Sequence, residues 1–460
     1  MNYLTDTIAA IASGLTPAGI GVIRISGPEA FRTADRVMRF SGRRSACDAD
    51  DHTILHGIAC DEGGGEIDEA LVLIMRAPRS YTGEDVAELQ CHGGPFVMKR
   101  ILDRVLACGA RLAEPGEFTK RAFLSGKMDL SQAEGVMELI EAENESARRA
   151  ALSSLRGDLG SRVSDIRGRL LYETAYLEAA LDDPEHISLE GFGERLSGVV
   201  SAAEGELSEL IRLSEEGRVL TEGIRTVILG RPNAGKSTLL NLFSGRERAI
   251  VTSIPGTTRD TLEERIRLGE LLLVLTDTAG LREGADEVEG IGIKRAIEAA
   301  NEADLIIYVV DGTREPCGED AERLMSFKDR PVILLLNKSD EALAAPADDF
   351  AEKLGAEPII FSAKSGQGKA ELEERIKRLF YSGKIAGDKG YVIANARQRE
   401  ALLSCRSSLK KILEAIENGI PEDLWSVDLT DAYTTLGRIT GESVNDELIN
   451  EIFSKFCMGK

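Results

Sequence analysis

Gly230-Arg231-Pro232-Asn233-Ala234-Gly235-Lys236-Ser237 follows the apolar run Thr226–Leu229 without a break and opens a helix over Ser237–Phe243. This is the GxxxxGK[ST] pattern at a strand-to-helix turn. Its glycines let backbone N–H groups close around phosphate oxygens, Lys236 reaches the β- and γ-phosphates, and the Ser237 hydroxyl can hold Mg²⁺. Ala234, Gly235 and Thr238 belong to the same phosphate-contacting stretch, and Lys236 is also a catalytic candidate. Downstream, apolar strands recur at Leu271–Leu275, Leu305–Val310, Val332–Leu336 and Pro358–Phe361, with a more polar Glu263–Leu268 before them. Strand, loop and helix in alternation predict a doubly wound α/β sheet of the P-loop, Ras-like kind.

Three further motifs fall at strand ends in the order such a site needs. Asp277-Thr278-Ala279-Gly280 ends Leu271–Leu275, where an aspartate can hold the Mg²⁺ shell and a glycine amide can face the γ-phosphate. Asn337-Lys338-Ser339-Asp340 ends Val332–Leu336. The Asp340 carboxylate can accept from both the ring N–H and the exocyclic amine of guanine. Adenine presents an acceptor at that ring position and would leave the carboxylate unpaired. Ser362-Ala363-Lys364 then supports the base. The ligand expected is GTP.

Between these motifs, Thr252-Ser253-Ile254-Pro255-Gly256-Thr257-Thr258-Arg259-Asp260 stands in the place of a first switch, with Thr258 the candidate that covers Mg²⁺ and senses the γ-phosphate. A second switch runs from Asp277 through Leu281–Gly292. Where Ras-type enzymes carry the glutamine that positions water, this chain has Leu281, and no arginine finger stands out, although Arg259 and Arg282 lie in switch loops. Asn233 can offer its side-chain carbonyl to a monovalent cation beside the phosphates, and the acidic run Asp286-Glu287-Val288-Glu289 offers a substitute for orienting water. For Glu289 the plain alternative is a solvated switch glutamate.

Outward from this core the texture changes. Residues 1–122 mix β-branched runs (Gly21–Ile25, Ala70–Met75) with Gly-rich turns and a helical stretch, Phe96–Ala107, which reads as a small α/β domain. From about Leu130 to Leu213 strand signals vanish. Ala147, Ala151, Leu155, Leu159, Val163, Ile166 and Leu170 recur at three- or four-residue steps, the stripe of one long packed helix. Helical texture returns after Gly383, with a last helical stretch at Val444–Phe456. The organisation expected is an α/β domain (1–122), a helical domain split into 123–217 and 385–460, and an inserted nucleotide domain (218–384). The alternative is three beads on a string.

The bulk properties narrow the class. A chain of 460 residues needs more than one core. A net charge of -22 implies that, if RNA is a substrate, a local patch or a partner supplies most of the positive charge. The seven cysteines are scattered and never form a CxxC pair, which argues against a disulfide framework or zinc ribbon and fits a reducing compartment. No basic leader precedes an apolar stretch, and no apolar run approaches the roughly 18 residues of a membrane span. A cytoplasmic protein without a membrane partner is expected.

Over essentially its whole length the chain resembles the MnmE (TrmE) family of tRNA modification GTPases. The residues that carry the resemblance outside the nucleotide motifs are Gly21-Val22-Ile23-Arg24-Ile25-Ser26-Gly27, Tyr81–Asp85, Glu88–Gly94, Glu114–Phe123 and the terminal Phe456-Cys457-Met458-Gly459-Lys460. The resemblance implies an N-terminal domain that forms the homodimer and binds a tetrahydrofolate derivative (5-formyl- or 5,10-methylene-tetrahydrofolate). It also implies an FAD-dependent partner, MnmG, with which a carboxymethylaminomethyl or aminomethyl group is installed on the tRNA wobble uridine. GTP hydrolysis would be K⁺-stimulated and accompany pairing of two G domains. The resemblance further implies K⁺ ligands at Asn233, Thr252, Ile254 and Thr257, Mg²⁺ at Ser237 and Thr258, and Glu289 as the catalytic glutamate. Folate contacts are implied at Arg24, Glu88, Lys127 and Lys460, with Cys457 a candidate for the modification chemistry. For Arg24 the plain alternative is an arginine satisfied within its own sheet. Two other readings compete: a ribosome-assembly GTPase, which usually appends a basic RNA-binding module that Glu422–Lys460 does not supply, and a purely regulatory switch.

Overall fold

The computed structural model describes residues 6–42, 44–142, 144–244, 264–269, 271–275, 300, 303–328, 330–380 and 395–459. The chain divides into two compact units. One comprises Met1–Ile140, Ser154–Leu207 and Arg397–Lys460, the other Glu141–Ser153 and Ser208–Ala396.

The chain opens with β1 (Ile8–Ile11), β2 (Ala18–Ser26), α1 (Ala30–Val37), β3 (Met38–Phe40), β4 (Thr53–Cys60), β5 (Glu66–Met75), β6 (Val86–Gly93), α2 (Pro95–Ala107) and β7 (Arg111–Leu112). The strands join in the order β3-β4-β5-β6-β2-β1-β7, antiparallel except for β1 beside β7. Alternation along each strand sends Ile23, Ile25, Val72, Ile74 and Leu89 to one face, where Phe31 of α1 and Met98, Ile101 and Val105 of α2 cover them. On the opposite face Phe118 packs with Ile8 and Ala10 near β1. Beyond that cover, Ile20, Ile54 and Leu71 stay 63%, 59% and 40% exposed. A shallow groove of about 310 Å³, lined in part by Ile20, His56, Leu71, Gln90 and His92, marks this open face.

Helices follow: α3 (Glu117–Leu124), α4 (Leu130–Glu141), α5 (Glu145–Arg156), α6 (Asp158–Asp182) and α7 (Phe192–Glu222). The apolar stripe over 147–170 predicts one helix; the structure has two. Gly157, at φ 78°, turns left-handed between α5 and α6, a conformation that lacking a Cβ makes inexpensive.

The second unit contains β8 (Ile224–Leu229), α8 (Lys236–Ser244), β9 (Glu264–Leu268), β10 (Leu271–Leu275), β11 (Leu305–Asp311), α9 (Gly318–Ser326), β12 (Val332–Asn337), α10 (Ala347–Leu354), β13 (Pro358–Ile360) and α11 (Lys369–Phe380). The strand order is β13-β12-β11-β8-β10-β9, parallel except for the β9–β10 pair. Both faces are covered. Leu273 and Leu275 pack in one cluster with Leu239 and Phe243 of α8, while Tyr308, Val310 and Leu334 pack with Leu324, Phe350 and Leu354 in another. This is the doubly wound arrangement expected, and continuous burial of β10 is its signature.

The chain returns to the first unit with α12 (Ala396–Glu417), α13 (Trp425–Thr440) and α14 (Asp446–Ser454). The last helix is shorter at both ends than the Val444–Phe456 expected; its start is set by the Asn445 side chain, which caps it by accepting from the Leu448 N–H at 3.0 Å. Among the described residues no helix is long and apolar enough to cross a membrane.

Candidate functional site

The phosphate loop sits between β8 and α8, at the carboxyl edge of the second sheet. Gly230 and Gly235 take φ values of 145° and 98°, and a Cβ on either would collide, with the Val309 carbonyl and the Asn337 amide respectively. The glycines are therefore required by close backbone approach as well as by dihedral. Asn233 also adopts a left-handed φ of 63°, a conformation asparagine tolerates better than most residues. Lys236 donates to the carbonyls of Gly230 (2.8 Å) and Arg231 (2.7 Å), folding back over the loop. Burial lowers its pKa, assisted by the charge of Arg323. Ser237 and Thr238 lie exposed in the first turn of α8.

Asn337 holds the two halves of the site together. Only 2% exposed, it donates through Nδ2 to the Ala234 carbonyl (2.8 Å), and its Oδ1 accepts from the Ala363 N–H (2.9 Å). One side chain thus ties the phosphate loop to Ser362-Ala363-Lys364. Asp340 is oriented from the same loop: the Ser362 hydroxyl donates to its Oδ1 at 2.7 Å, and Lys364 Nζ stands 3.9 Å from Oδ2. The Ser362 hydrogen bond lowers the Asp340 pKa, with Lys364 and Lys338 contributing, so the carboxylate is ready to accept. Lys338, at φ 67°, pairs with Asp311 at 2.6 Å. Burial works against ionisation of Asp311, but the Lys338 and Thr313 hydrogen bonds outweigh it and lower its pKa.

Thus Asn233, Ala234, Gly235, Lys236, Ser237, Thr238, Asn337, Lys338, Asp340, Ser362, Ala363 and Lys364 converge on one edge of one sheet. Thr252, Ser253, Ile254, Pro255, Gly256, Thr257, Thr258, Asp277, Thr278, Ala279, Gly280 and Glu289 lie outside the described residues, as does Lys460.

A second polar cluster belongs to the first unit. Arg24 and Glu88 face each other across β2 and β6 and pair at 2.7 Å. The Arg24 guanidinium lies 5.3 Å from the Tyr81 ring centre and 5.5 Å from that of Phe118, and it donates to the Gly459 carbonyl at 3.4 Å. The chain terminus is pinned here: Gly459, at φ 85°, is buried against the Ile11 carbonyl, and the Gly116 N–H donates to the Cys457 carbonyl at 3.3 Å. The Cys457 thiol is exposed. Lys127 donates to the Pro78 carbonyl at 2.9 Å.

Reading the sequence missed the walls of this cluster and its support. In the sequence Tyr81 and Phe118 stand only as members of the stretches Tyr81–Asp85 and Glu114–Phe123. Arg121, 1% exposed, is gripped by Asp6 (2.6 Å), Glu84 (3.0 Å) and Glu117 (3.0 Å). Burial disfavours its charge, but the three carboxylates outweigh this and raise its pKa. Nothing in residue spacing predicts that an arginine on α3 is interior.

The family described as "GTP-binding protein TrmE N-terminus" matches residues 7–127, and that described as "MnmE helical domain" matches residues 130–457. The "tRNA modification GTPase MnmE" of Lachnoclostridium phytofermentans is 51% identical over 458 residues, covering 99% of this chain and 100% of that relative. The proteins of the same description from Acetivibrio thermocellus and Symbiobacterium thermophilum are 43% and 44% identical, covering 100% and 99% of this chain and 100% and 99% of those relatives.

Proposed function

The chain belongs to the MnmE/TrmE family of tRNA modification GTPases, and from that premise we propose that it binds and hydrolyses GTP to drive modification of the tRNA wobble uridine. The observation that carries the reading is Asn337, which locks the phosphate loop to the loop that orients Asp340. A guanine base would meet Asp340 through its ring N–H and exocyclic amine while its phosphates meet the backbone amides of 230–236. Lys236, whose present partners are loop carbonyls, would exchange them for β- and γ-phosphate oxygens. Ser237 is an exposed residue at the helix start beside Lys236, and its hydroxyl, with Thr258 and Asp277, would hold Mg²⁺. Held there, Mg²⁺ would supply positive charge that offsets the charge developing on the phosphates. Asn233, with Thr252, Ile254 and Thr257, would hold K⁺ where other GTPases present an arginine, and Glu289 would orient the water.

In the first unit, Arg24 and Glu88 have the chemistry for a tetrahydrofolate derivative. Glu88 can accept from a pterin amidine edge, and Arg24, Lys127 and Lys460 can meet a glutamate tail. Tyr81 and Phe118 would supply ring faces, and the exposed Cys457 thiol is the candidate for the modification chemistry. Occupation requires the Arg24–Glu88 pair to open. The uncovered sheet face at Ile20, Ile54 and Leu71 supports a homodimer through the N-terminal domain. The partners proposed are tRNA and FAD-dependent MnmG, in the cytoplasm. Isothermal titration with GTP and ATP tests the site: GTP should bind and ATP should not, and equal affinities would overturn the assignment of Asp340.

A further inference from the structure

At the nucleotide edge of the second sheet, the end of β11 lies between the two loops that would hold the ligand. Strand order β12-β11-β8 sets it between the loop after β12, which carries Asp340, and the phosphate loop after β8. These three strands run parallel, so their carboxyl ends share that edge. A nucleotide whose base meets Asp340 and whose phosphates meet 230–236 must therefore lay its nucleoside over the end of β11. That end is Asp311, opposite Asn337 in the β11–β12 register. Both neighbours are close. The Gly312 N–H donates to the Asn337 carbonyl at 2.8 Å, and a Cβ on Gly230 of the phosphate loop would collide with the Val309 carbonyl of β11.

The Asp311 carboxylate is held in a fixed orientation. Its Oδ1 accepts from the Thr313 N–H at 3.0 Å and from the Thr313 hydroxyl at 2.7 Å. Its Oδ2 accepts from Lys338 Nζ at 2.6 Å. Arg314, 3.8 Å from the same oxygen, has a side chain 73% exposed and adds little. The Asp311 side chain is only 11% exposed. Lys338 makes its reach to the neighbouring strand end from a backbone at φ 67°. Among the described residues His52, Asn233 and Lys338 are the non-glycines at positive φ, and the last two belong to the nucleotide site. A strained backbone of this kind persists where surrounding contacts over-determine it, and such places cluster at ligand sites.

We infer that Asp311 is a positioning residue for the nucleotide, drawing Lys338 across the end of β11 so that the lysine's methylene stem forms the floor beneath the guanine nucleoside. The inference rests on the reading of Asp340 and 230–236 as the nucleotide's contacts. A lysine stem can lie along an apolar face while its charged head finds a partner, and here the partner is Asp311. Without it the ammonium would turn to water and carry the stem off the edge. A carboxylate anchors an ammonium better than a neutral acceptor does, because hydrogen bonds between charged groups are about twice as strong. Asp311 itself does not touch the nucleotide. The floor meets the face of the ring, whereas Asp340 meets its edge, so the floor should serve hypoxanthine as well as guanine.

The test follows dissociation of a fluorescent GDP analogue from the full chain by stopped flow, with thermal unfolding of the nucleotide-free protein as the control for folding. Asp311→Asn keeps the shape and an acceptor for Thr313 but loses the ion pair, and should release GDP about tenfold faster. The inosine diphosphate analogue, which lacks the exocyclic amine, should be speeded by the same factor. Lys338→Met keeps an unbranched apolar chain with nothing for Asp311 to hold. It too should release GDP about tenfold faster, and the double variant should be no faster than the quicker single variant. Thr313→Val disturbs the turn but spares the ion pair, and should change the rate by less than about twofold. Additive effects in the double variant would mean that Asp311 acts independently of Lys338. An effect confined to GDP would mean that it acts on the edge read by Asp340, and a Thr313→Val effect as large as that of Asp311→Asn would assign it to holding its own turn. Each of these overturns the inference, as does a wild-type rate in Asp311→Asn or, should that variant not fold, in Lys338→Met. Wild type that fails to bind GDP would overturn the nucleotide reading itself, whereas any of the other outcomes with GDP bound by wild type overturns this inference alone.

Discussion

Replacing Asn337 separates a packing account of the nucleotide site from one based on polar satisfaction. In Asn337→Ala the Ala234 carbonyl and the Ala363 N–H, both bonded to this one side chain, lose their partner. Each orphaned buried group costs about 1–3 kcal/mol, and water entering the vacated space recovers part of it. A net loss of about 2–4 kcal/mol in loop organisation corresponds to roughly 30- to 1000-fold in GTP Kd. Asn337→Asp makes the sharper comparison. The isosteric carboxylate still accepts from Ala363 N–H, but it sets an oxygen against the Ala234 carbonyl where an amide donated. It should therefore bind GTP no better than the alanine variant despite conserving volume. Titration of a fluorescent GTP analogue, with thermal unfolding as a control for folding, reads both. Asp binding near wild type while Ala binds weakly would mean that side-chain volume, not the pair of hydrogen bonds, holds the loops, and would refute the reasoning.

Further expectations concern the other clusters. Asp340→Asn should lose most GTP affinity and gain xanthosine triphosphate, whose ring carbonyl accepts from the new amide; unchanged preference in a competition assay would contradict the assigned role. Arg121→Met leaves Asp6, Glu84 and Glu117 facing one another without their shared cation and should cost about 3–5 kcal/mol, measured by urea unfolding. The pH dependence follows from the same network. The Arg111 and Arg121 contacts lower the pKa values of Asp6 and Glu117 below their ordinary 3.8 and 4.5, against the opposing effect of burial. Their contribution should therefore be complete above about pH 5 and lost as pH falls through the depressed values, and Arg121→Met should flatten that acid limb. Hydrolysis by wild type should rise in K⁺ over Na⁺ at equal ionic strength, and Asn233→Ala should lose that response while still binding GTP; equal rates in the two salts would point to Arg259 or Arg282 instead.

The second sheet was legible because parallel strands covered on both faces read as unbroken apolar runs. Leu271–Leu275 is the clearest case, predicted and observed with the same bounds. The nucleotide motifs were legible because each is local and falls at a strand end. What could not be read depends on distant residues or on a single dihedral. The stripe from Ala147 to Leu170 keeps its four-residue step from Leu155 to Leu159 across the turn at Gly157, so periodicity alone joins α5 and α6 into one helix. Arg121 occupies a helical position like any surface arginine until Asp6 and Glu84 arrive from elsewhere in the chain. The Arg24–Glu88 pair arises from β2–β6 register, which no local signal encodes, and it shows the arginine partly satisfied within its own sheet.

Whether this chain's nucleotide site drives tRNA modification can be read directly from the tRNA. In a strain lacking the gene, mass spectrometry of tRNA nucleosides should show wobble uridine without its aminomethyl-type group. Wild type supplied in trans should restore it, while Lys236→Ala, expressed to the same level, should not. A deletion that leaves the nucleoside profile unchanged, or full restoration by Lys236→Ala, would contradict the account.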